Sequence, residues 1–150
     1  MGKVIDGKAI AARIRGELAE AVKAFVQSSA LTPKLSVVLV WGDSASQVYV
    51  RNKERGCEEV GMIGEIHRLP ENVSQLQLNQ LIRKLNSDKS VHGILLQLPV
   101  PKGLDPIEAL DEISPEKDVD GLHPLNMGKL LRGENPALCH CTPCGIMELI

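Results

Sequence analysis

The sequence predicts an α/β fold with three layers, α/β/α, built on a short, mainly parallel sheet. Helix-like and strand-like stretches alternate from the first residues to about residue 113, the order expected of right-handed crossovers. Two strand-like runs, at residues 35–40 (LSVVLV) and 93–98 (GILLQL), are continuously or almost continuously apolar, the mark of strands covered on both faces. Internal repeats and low-complexity linkers are absent.

Asp6, followed by Gly7 and Lys8, opens the first helix, where Ile10, Ile14, Leu18, Val22 and Phe25 recur every three or four residues as one buried stripe. Leu31-Thr32-Pro33 ends it, and the run at 35–40 is the first strand. Residues 44–61, SASQVYVRNKERGCEEVG, form the central helix: Ser44 caps it, Gln47 completes a capping box and Gly61 stops it. Residues 63–69 make a weaker strand, interrupted by Gly64 and charged residues, which suits a sheet edge. Ser74 and Gln77 box the start of a third helix, with Leu78, Leu81, Ile82 and Leu85 as its inner face. After the strand at 93–98, Asp105-Pro106 starts a short helix with Ile107, Leu110 and Ile113 inward. Three parallel strands are expected, with a fourth the alternative. A last segment from Thr142 to Ile150 carries a cap, a proline in its first turn and an apolar stripe. It reads as a helix cut short, and the chain as part of something longer.

A chain of 150 residues, 43% hydrophobic and 24% charged, is the size of one domain and can bury a core. A net charge of -2 gives no electrostatic reason to expect nucleic acid, and Phe25, Trp41 and Tyr49 are too few to make a base-stacking platform. No apolar run approaches the roughly 20 residues of a membrane span, and the N-terminus lacks the apolar core of a secretion signal. A cytoplasmic protein is expected, with no membrane partner. Met1-Gly2 is not a myristoylation signal, since Asp6 stands where Ser or Thr belongs. The cysteines, Cys57 alone and Cys139, Cys141 and Cys144 together, form no disulfide framework, so reduced thiols are the default.

In open parallel sheets, ligands bind beyond the carboxyl ends of the strands. Tyr49 and Lys53, four residues apart, share one face of the central helix that follows the first strand. A lysine there serves proton transfer if burial lowers its pKa, although most helical lysines are solvated and most tyrosines only pack. Gln97 is a lone amide in an apolar strand, and either pairs with backbone or faces a ligand. Pro99 and Pro101 stiffen the loop that follows. The segment DVDGLHP from Asp118 reads, by composition, as an Asx-rich turn. Cys139-His140-Cys141 with Cys144 has zinc-type ligands, but its crowded spacing and lack of a second ligand pair argue against a metal. No glycine-rich nucleotide loop is present.

Five blocks, in order, carry a resemblance: YVRNK at 49–53, GILLQLPVP at 93–101, EKDVDG at 116–121, HPLNMGKL from His123 and CTPCG from Cys141. Together they closely resemble the bifunctional methylenetetrahydrofolate dehydrogenase/methenyltetrahydrofolate cyclohydrolase family, colinear from Val4 to Ile150. The resemblance implies an enzyme of one-carbon metabolism with an amino-acid-dehydrogenase-like N-terminal domain. Methylenetetrahydrofolate is oxidised with NADP, and water then opens the methenyl cation to formyltetrahydrofolate. Carried onto these positions, Lys53 is the proton relay, and Gln97 the amide that tunes it. Tyr49 stacks on the folate, Asp120 grips the amino edge of the pterin, and Pro99 and Val100 belong to the substrate loop.

Departures are specific. Trp41 replaces a usual glycine, Ser44 a proline, with Gly42 able to compensate; Arg55 replaces lysine, Leu122 phenylalanine, and Cys144 fills a variable, often basic position. The family adds a Rossmann-type domain that binds NADP, and residues 1–150 correspond to the folate-binding catalytic domain, ending within the helix that leads to the second. The expectation for this chain alone is little or no dehydrogenase activity and at most weak cyclohydrolase activity. The full-length family is homodimeric, largely through the other domain, which leaves this fragment monomeric or prone to aggregate. A non-catalytic folate-binding or interaction module of the same descent is the competing reading.

Overall fold

Three short strands give the molecule its frame. In the computed structural model, β1 (Lys34–Val40), β2 (Ile63–Leu69) and β3 (Gly93–Leu96) pair in parallel in the order β2-β1-β3. The structure describes residues 4–41, 44–134 and 138–150, and all their side chains except those of residues 44–46. Around the sheet lie α1 (Gly7–Ser29), α2 (Ser44–Glu59), α3 (Gln75–Ser87), α4 (Pro106–Asp111), α5 (Pro124–Leu131) and α6 (Cys141–Met147).

Side chains of a strand alternate between faces, and β1 uses both. Val38 and Val40, with Ile94 and Leu96 of β3, pack against Leu78, Ile82 and Leu85 of α3 and against Ala109 and Ile113. Val37 and Leu39, with Leu95, meet Val50 of α2 on the opposite face. The chain leaves β1 for β2 on one side and returns to β3 on the other, so right-handed crossovers put α2 and α3 on opposite faces. That produces the three expected layers. A fourth strand is present only as a single bridge, Ile94 to Asp118, with the Ile94 N–H donating to the Lys117 carbonyl at 2.7 Å.

Local chemistry accounts for the helix ends. Asp6 accepts from the Ala9 N–H, Ser74 and Gln77 make the full capping box, and Asp105 accepts from the N–H groups of Ile107 and Glu108 ahead of Pro106. At the other end of α3 the Lys117 ammonium donates to the carbonyls of Leu85, Asn86 and Asp88, at 3.1, 2.7 and 2.7 Å. The last-turn carbonyls of that helix thereby gain a cation at the favourable end of its dipole.

Several expectations change. Of the α1 stripe only Val22 is buried, and Phe25 remains 47% exposed. Helical periodicity identifies an apolar face but not whether anything covers it. Ile107 is 68% exposed, because the inward face of the six-residue α4 goes to Ala109 and the turn after it to Ile113. β3 stops at Leu96; the Gln97 N–H still donates to the Val38 carbonyl at 2.9 Å, but a cis Leu98–Pro99 bond follows. The helix at the C-terminus begins at Cys141 behind His140, so Thr142 lies in its first turn and does not cap it. α5 has no counterpart in the sequence reading: Pro124 occupies its first turn, and His123 Nδ1 accepts from the Leu125 N–H at 3.1 Å. The caps assigned to Ser44 and Gln47, the compensating role of Gly42, and Met1-Gly2 lie outside the described residues or side chains. Among the described residues no helix is long and apolar enough to cross a membrane.

Replacing Lys117 with methionine keeps the aliphatic stem and removes the donor to three carbonyls. Loss of about 1–3 kcal/mol of stability is expected, read as a lower urea midpoint at unchanged slope; an unchanged midpoint would show that water replaces the ammonium at no cost.

Candidate active site at the carboxyl ends of the strands

α2 is the crossover from β1 to β2, and Lys53 lies in its third turn. Gln97 is the first residue after β3. The two meet: Lys53 Nζ donates to Gln97 Oε1 at 3.0 Å in a partly buried contact, and Gln97 Nε2 donates to the Leu98 carbonyl at 2.7 Å. Both halves of the amide are therefore used, one by backbone and one by the lysine. With its NH2 group fixed on a carbonyl, Gln97 presents only an acceptor to Lys53.

A second wall comes from the turn after the Ile94 bridge. Asp118 is buried, and its carboxyl oxygens accept from the N–H groups of Leu122 and His123, at 3.3 and 2.9 Å, and from Asn126 Nδ2 at 2.9 Å. Asn126 also donates to the Pro115 carbonyl at 2.9 Å. Asp118 makes no Asx turn: its backbone donors stand four and five residues on, so it ties down a wider loop than the composition suggests. Asp120, two residues on, is only partly buried. Gly121 has a φ of +68°, and a Cβ on it would sit 2.9 Å from the Cys139 carbonyl carbon, so glycine is needed for both conformation and close approach.

That approach lays the start of α6 on the turn. Cys141 Sγ donates to the Val119 carbonyl at 3.2 Å. Burial first, then the Asp120 carboxylate, push the Cys141 thiol up from its ordinary pKa; Asp118 adds to this and the Lys53 ammonium opposes it. Lys53, Asp120 and Cys141 thus share one electrostatic neighbourhood. A cavity of about 420 Å³ reaches Lys53 and Cys141 but runs towards the amino ends of the strands, where Lys34, Leu35, Met62 and Gly93 line it; Tyr49, Gln97 and Asp120 are not part of its lining.

The remaining site candidates are more loosely gathered. Tyr49 is one turn before Lys53 on the same helix face, and 64% exposed. Pro99 is exposed, while the Val100 side chain packs against the α3 and α4 core. Trp41, at the end of β1, is 58% exposed, and its N–H donates to the Leu69 carbonyl at 2.8 Å. Sequence reasoning placed Cys141 in a metal-like cluster and in a resemblance block, and Asn126 in another block, but gave neither a role; the hold of Asn126 on a buried carboxyl and on the Pro115 carbonyl leaves no periodic signal.

Cys139 and Cys144 lie with their sulfurs in contact and their Cα atoms 6.6 Å apart, while Cys57 and Cys141 are free. Among the described residues no group of three or more His, Cys, Asp or Glu side chains is placed to hold a metal ion.

Residues 5–120 match the family model described as tetrahydrofolate dehydrogenase/cyclohydrolase, catalytic domain. The bifunctional protein FolD of Geotalea uraniireducens is 51% identical over 150 residues, spanning all of this chain and 53% of that protein. That of Nitratidesulfovibrio vulgaris is 54% identical over 147 residues, 98% of this chain and 51% of the relative. Among solved structures, FolD methylenetetrahydrofolate dehydrogenase/cyclohydrolase from Campylobacter jejuni superposes with a TM-score of 0.94 at 44% identity, over 98% of this chain and 52% of that one. The Trypanosoma brucei enzyme, complexed with NADP cofactor and inhibitor, gives 0.94 at 39% identity, over 99% of this chain and 50% of that one. The chain spans about half the length of the relatives it matches.

The pH dependence of Cys141 reactivity follows from its neighbours. A raised thiol pKa means that the reactive thiolate appears only above the range of a free cysteine. Asp120→Asn removes one cause of the rise and leaves the Lys53 charge, so the midpoint of the Cys141 alkylation rate should move to lower pH. A midpoint that stays or rises would place the carboxylate too far from the thiol to matter.

Proposed function

Because the chain belongs to the tetrahydrofolate dehydrogenase/cyclohydrolase family through its catalytic domain, we propose that residues 1–150 are the folate-binding catalytic domain of a two-step enzyme. In that reading methylenetetrahydrofolate is oxidised with NADP to the methenyl cation, and water converts the cation to formyltetrahydrofolate. The observation that carries the proposal is the 3.0 Å hydrogen bond from Lys53 to Gln97, which joins the crossover after β1 to the loop after β3. A binding surface has no need of a lysine held on an amide acceptor; a proton relay does.

The hydrolytic step can be built from this chain's residues. The methenyl cation repels an ammonium, which favours Lys53 as the amine. As water adds to the methenyl carbon, a carbon–oxygen bond forms and the amine takes the water proton. As the carbon–nitrogen bond then breaks, the proton returns to the departing ring nitrogen and the hydroxyl proton leaves to solvent. Gln97 orients Lys53 throughout, because its own NH2 group is tied to the Leu98 carbonyl. Asp120, an acceptor, suits the amino edge of a pterin, and the exposed Tyr49 ring is available for stacking on it. Pro99 and Val100 belong to the loop that limits the substrate on the side of β3.

NADP is a different matter. The sequence contains no glycine-rich dinucleotide loop, so these residues do not fit that cofactor and the hydride step is not built from them. The proposal assigns NADP to a second domain, as in the longer relatives.

The test is the decay of methenyltetrahydrofolate absorbance with the 150-residue chain, without NADP, beside Lys53→Gln. Decay above the buffer rate is expected, weak because one wall of the cleft is open to water. General acid–base catalysis contributes about 10²–10⁴-fold, so the variant should fall to the buffer rate. Equal rates for the two chains would sink the relay. Folate binding that persists at equal rates would favour the non-catalytic module.

A further inference from the structure

We propose that Gln75 is a positioning residue of the site: from the start of α3 it fixes the far end of the loop 98–104 in the form that receives the substrate. Gln97 holds the near end, with its own N–H on the Val38 carbonyl and its side chain on the Leu98 carbonyl. At the far end stands Asp105. Its N–H donates to Gln75 Oε1 at 2.8 Å, and its carbonyl accepts from Gln75 Nε2 at 3.3 Å. Among the described residues, the Gln75 side chain is the only one from a separate element that hydrogen-bonds to the backbone of residues 98–105.

The orientation of the Gln75 amide is not free. Its Nε2 also donates to Asn79 Oδ1 at 2.9 Å, and the buried Asn79 donates in turn to Glu108 Oε1 at 2.7 Å. Glu108, in the first turn of α4, is an acceptor only when ionised. Asn79 must therefore turn its NH2 group towards α4 and its oxygen towards Gln75. Gln75 then spends both hydrogens of its own NH2 group, on Asn79 and on the Asp105 carbonyl, and its oxygen is left for the Asp105 N–H.

Other holds on the loop lack this direction. Val100 and Leu104 pack against the core that α3 and α4 share, and apolar contact is non-directional. The Leu104 N–H closes a turn on the Pro101 carbonyl at 3.3 Å, with Gly103 at a φ of +103°, but that bond is internal to the loop and moves with it. Loss of the Gln75 contacts therefore frees residues 98–104 to shift while Gln97 keeps its partners. The consequence for the reaction rests on the folate reading above: binding weakens because Pro99 and Val100 are displaced, and the rate from bound substrate, set by Lys53 and Gln97, is kept.

The experiment compares the 150-residue chain with two variants. Gln75→Met keeps the length of the side chain without its donor or acceptor, and Gln75→Glu keeps an acceptor for the Asp105 N–H at a helix start that tolerates a carboxylate. Methenyltetrahydrofolate hydrolysis is followed without NADP, and amide hydrogen exchange is read by mass spectrometry. For Gln75→Met, KM should rise about 3–10-fold, the scale of one hydrogen bond, at unchanged kcat. Exchange of the 98–105 peptide should quicken while that of 78–85 does not, and Gln75→Glu should lie between. A merely structural role would lower kcat through loss of folded protein and leave KM as it was. That result, or unchanged exchange at 98–105 in both variants, would overturn the proposal. If no chain hydrolyses the substrate, the folate reading fails, and the exchange comparison still decides whether Gln75 holds the loop.

Discussion

A carboxyl group with almost no access to water organises the functional end of this molecule. Asp118 sits directly beside β3 through the Ile94 bridge and is satisfied by Leu122, His123 and Asn126. Hydrogen bonds to a charged group contribute about 1.5–3 kcal/mol each, and a buried charge left without them would be strongly destabilising. Val119 and Leu125 in the stretch 118–126 stay 36% and 50% exposed, so these bonds do much to fix it. From that fixed turn follow the position of Asp120, the tight seat of Cys139 on Gly121, and the arrival of Cys141 near Lys53.

The other half of the site depends on the winding of the sheet. β1 lies between β2 and β3, so the chain reverses its direction of travel at β1. Ligand sites in such sheets occur at that reversal, outside the carboxyl ends of the strands. Lys53 approaches from the crossover on one side and Gln97 from the strand on the other. Their hydrogen bond closes the gap between two parts of the chain separated by 44 positions. Neither residue is remote from the core: Val50 of α2 and Leu96 of β3 are buried neighbours in sequence, which restricts the freedom of both side chains.

Much of this was legible before any coordinates. The alternation of elements, the parallel sheet and the Ser74 capping box rest on local chemistry, whereas the pairing of Lys53 with Gln97 was implied only by the family resemblance. What escaped was set by tertiary contact. Two carboxylates two residues apart look alike in sequence, yet Asp118 is enclosed and Asp120 faces the thiol of Cys141. The apolar rows of α1 and α4 look buried because periodicity reports a face and not its cover. Thr142 resembles a cap, but the contact of Gly121 with Cys139 brings the chain in early and the helix begins before it. The meeting of the Cys139 and Cys144 sulfurs also escaped, because it is set by the seat of Cys139 on Gly121 and the start of α6.

The sheet's borders have a bearing on how the molecule behaves at high concentration. An unprotected strand border is a template for polymerisation through main-chain bonding with another copy. Here β2 carries Glu65 and Arg68, with Glu65 in an ion pair with Lys34, so a neighbouring strand would meet charge along that border. β3 is only four residues long, and the main chain at Lys117 and Asp118 already takes part of its outer side. The same turn that holds the functional carboxylate thereby acts as a gatekeeper, leaving little free backbone there from which a cross-β assembly can grow.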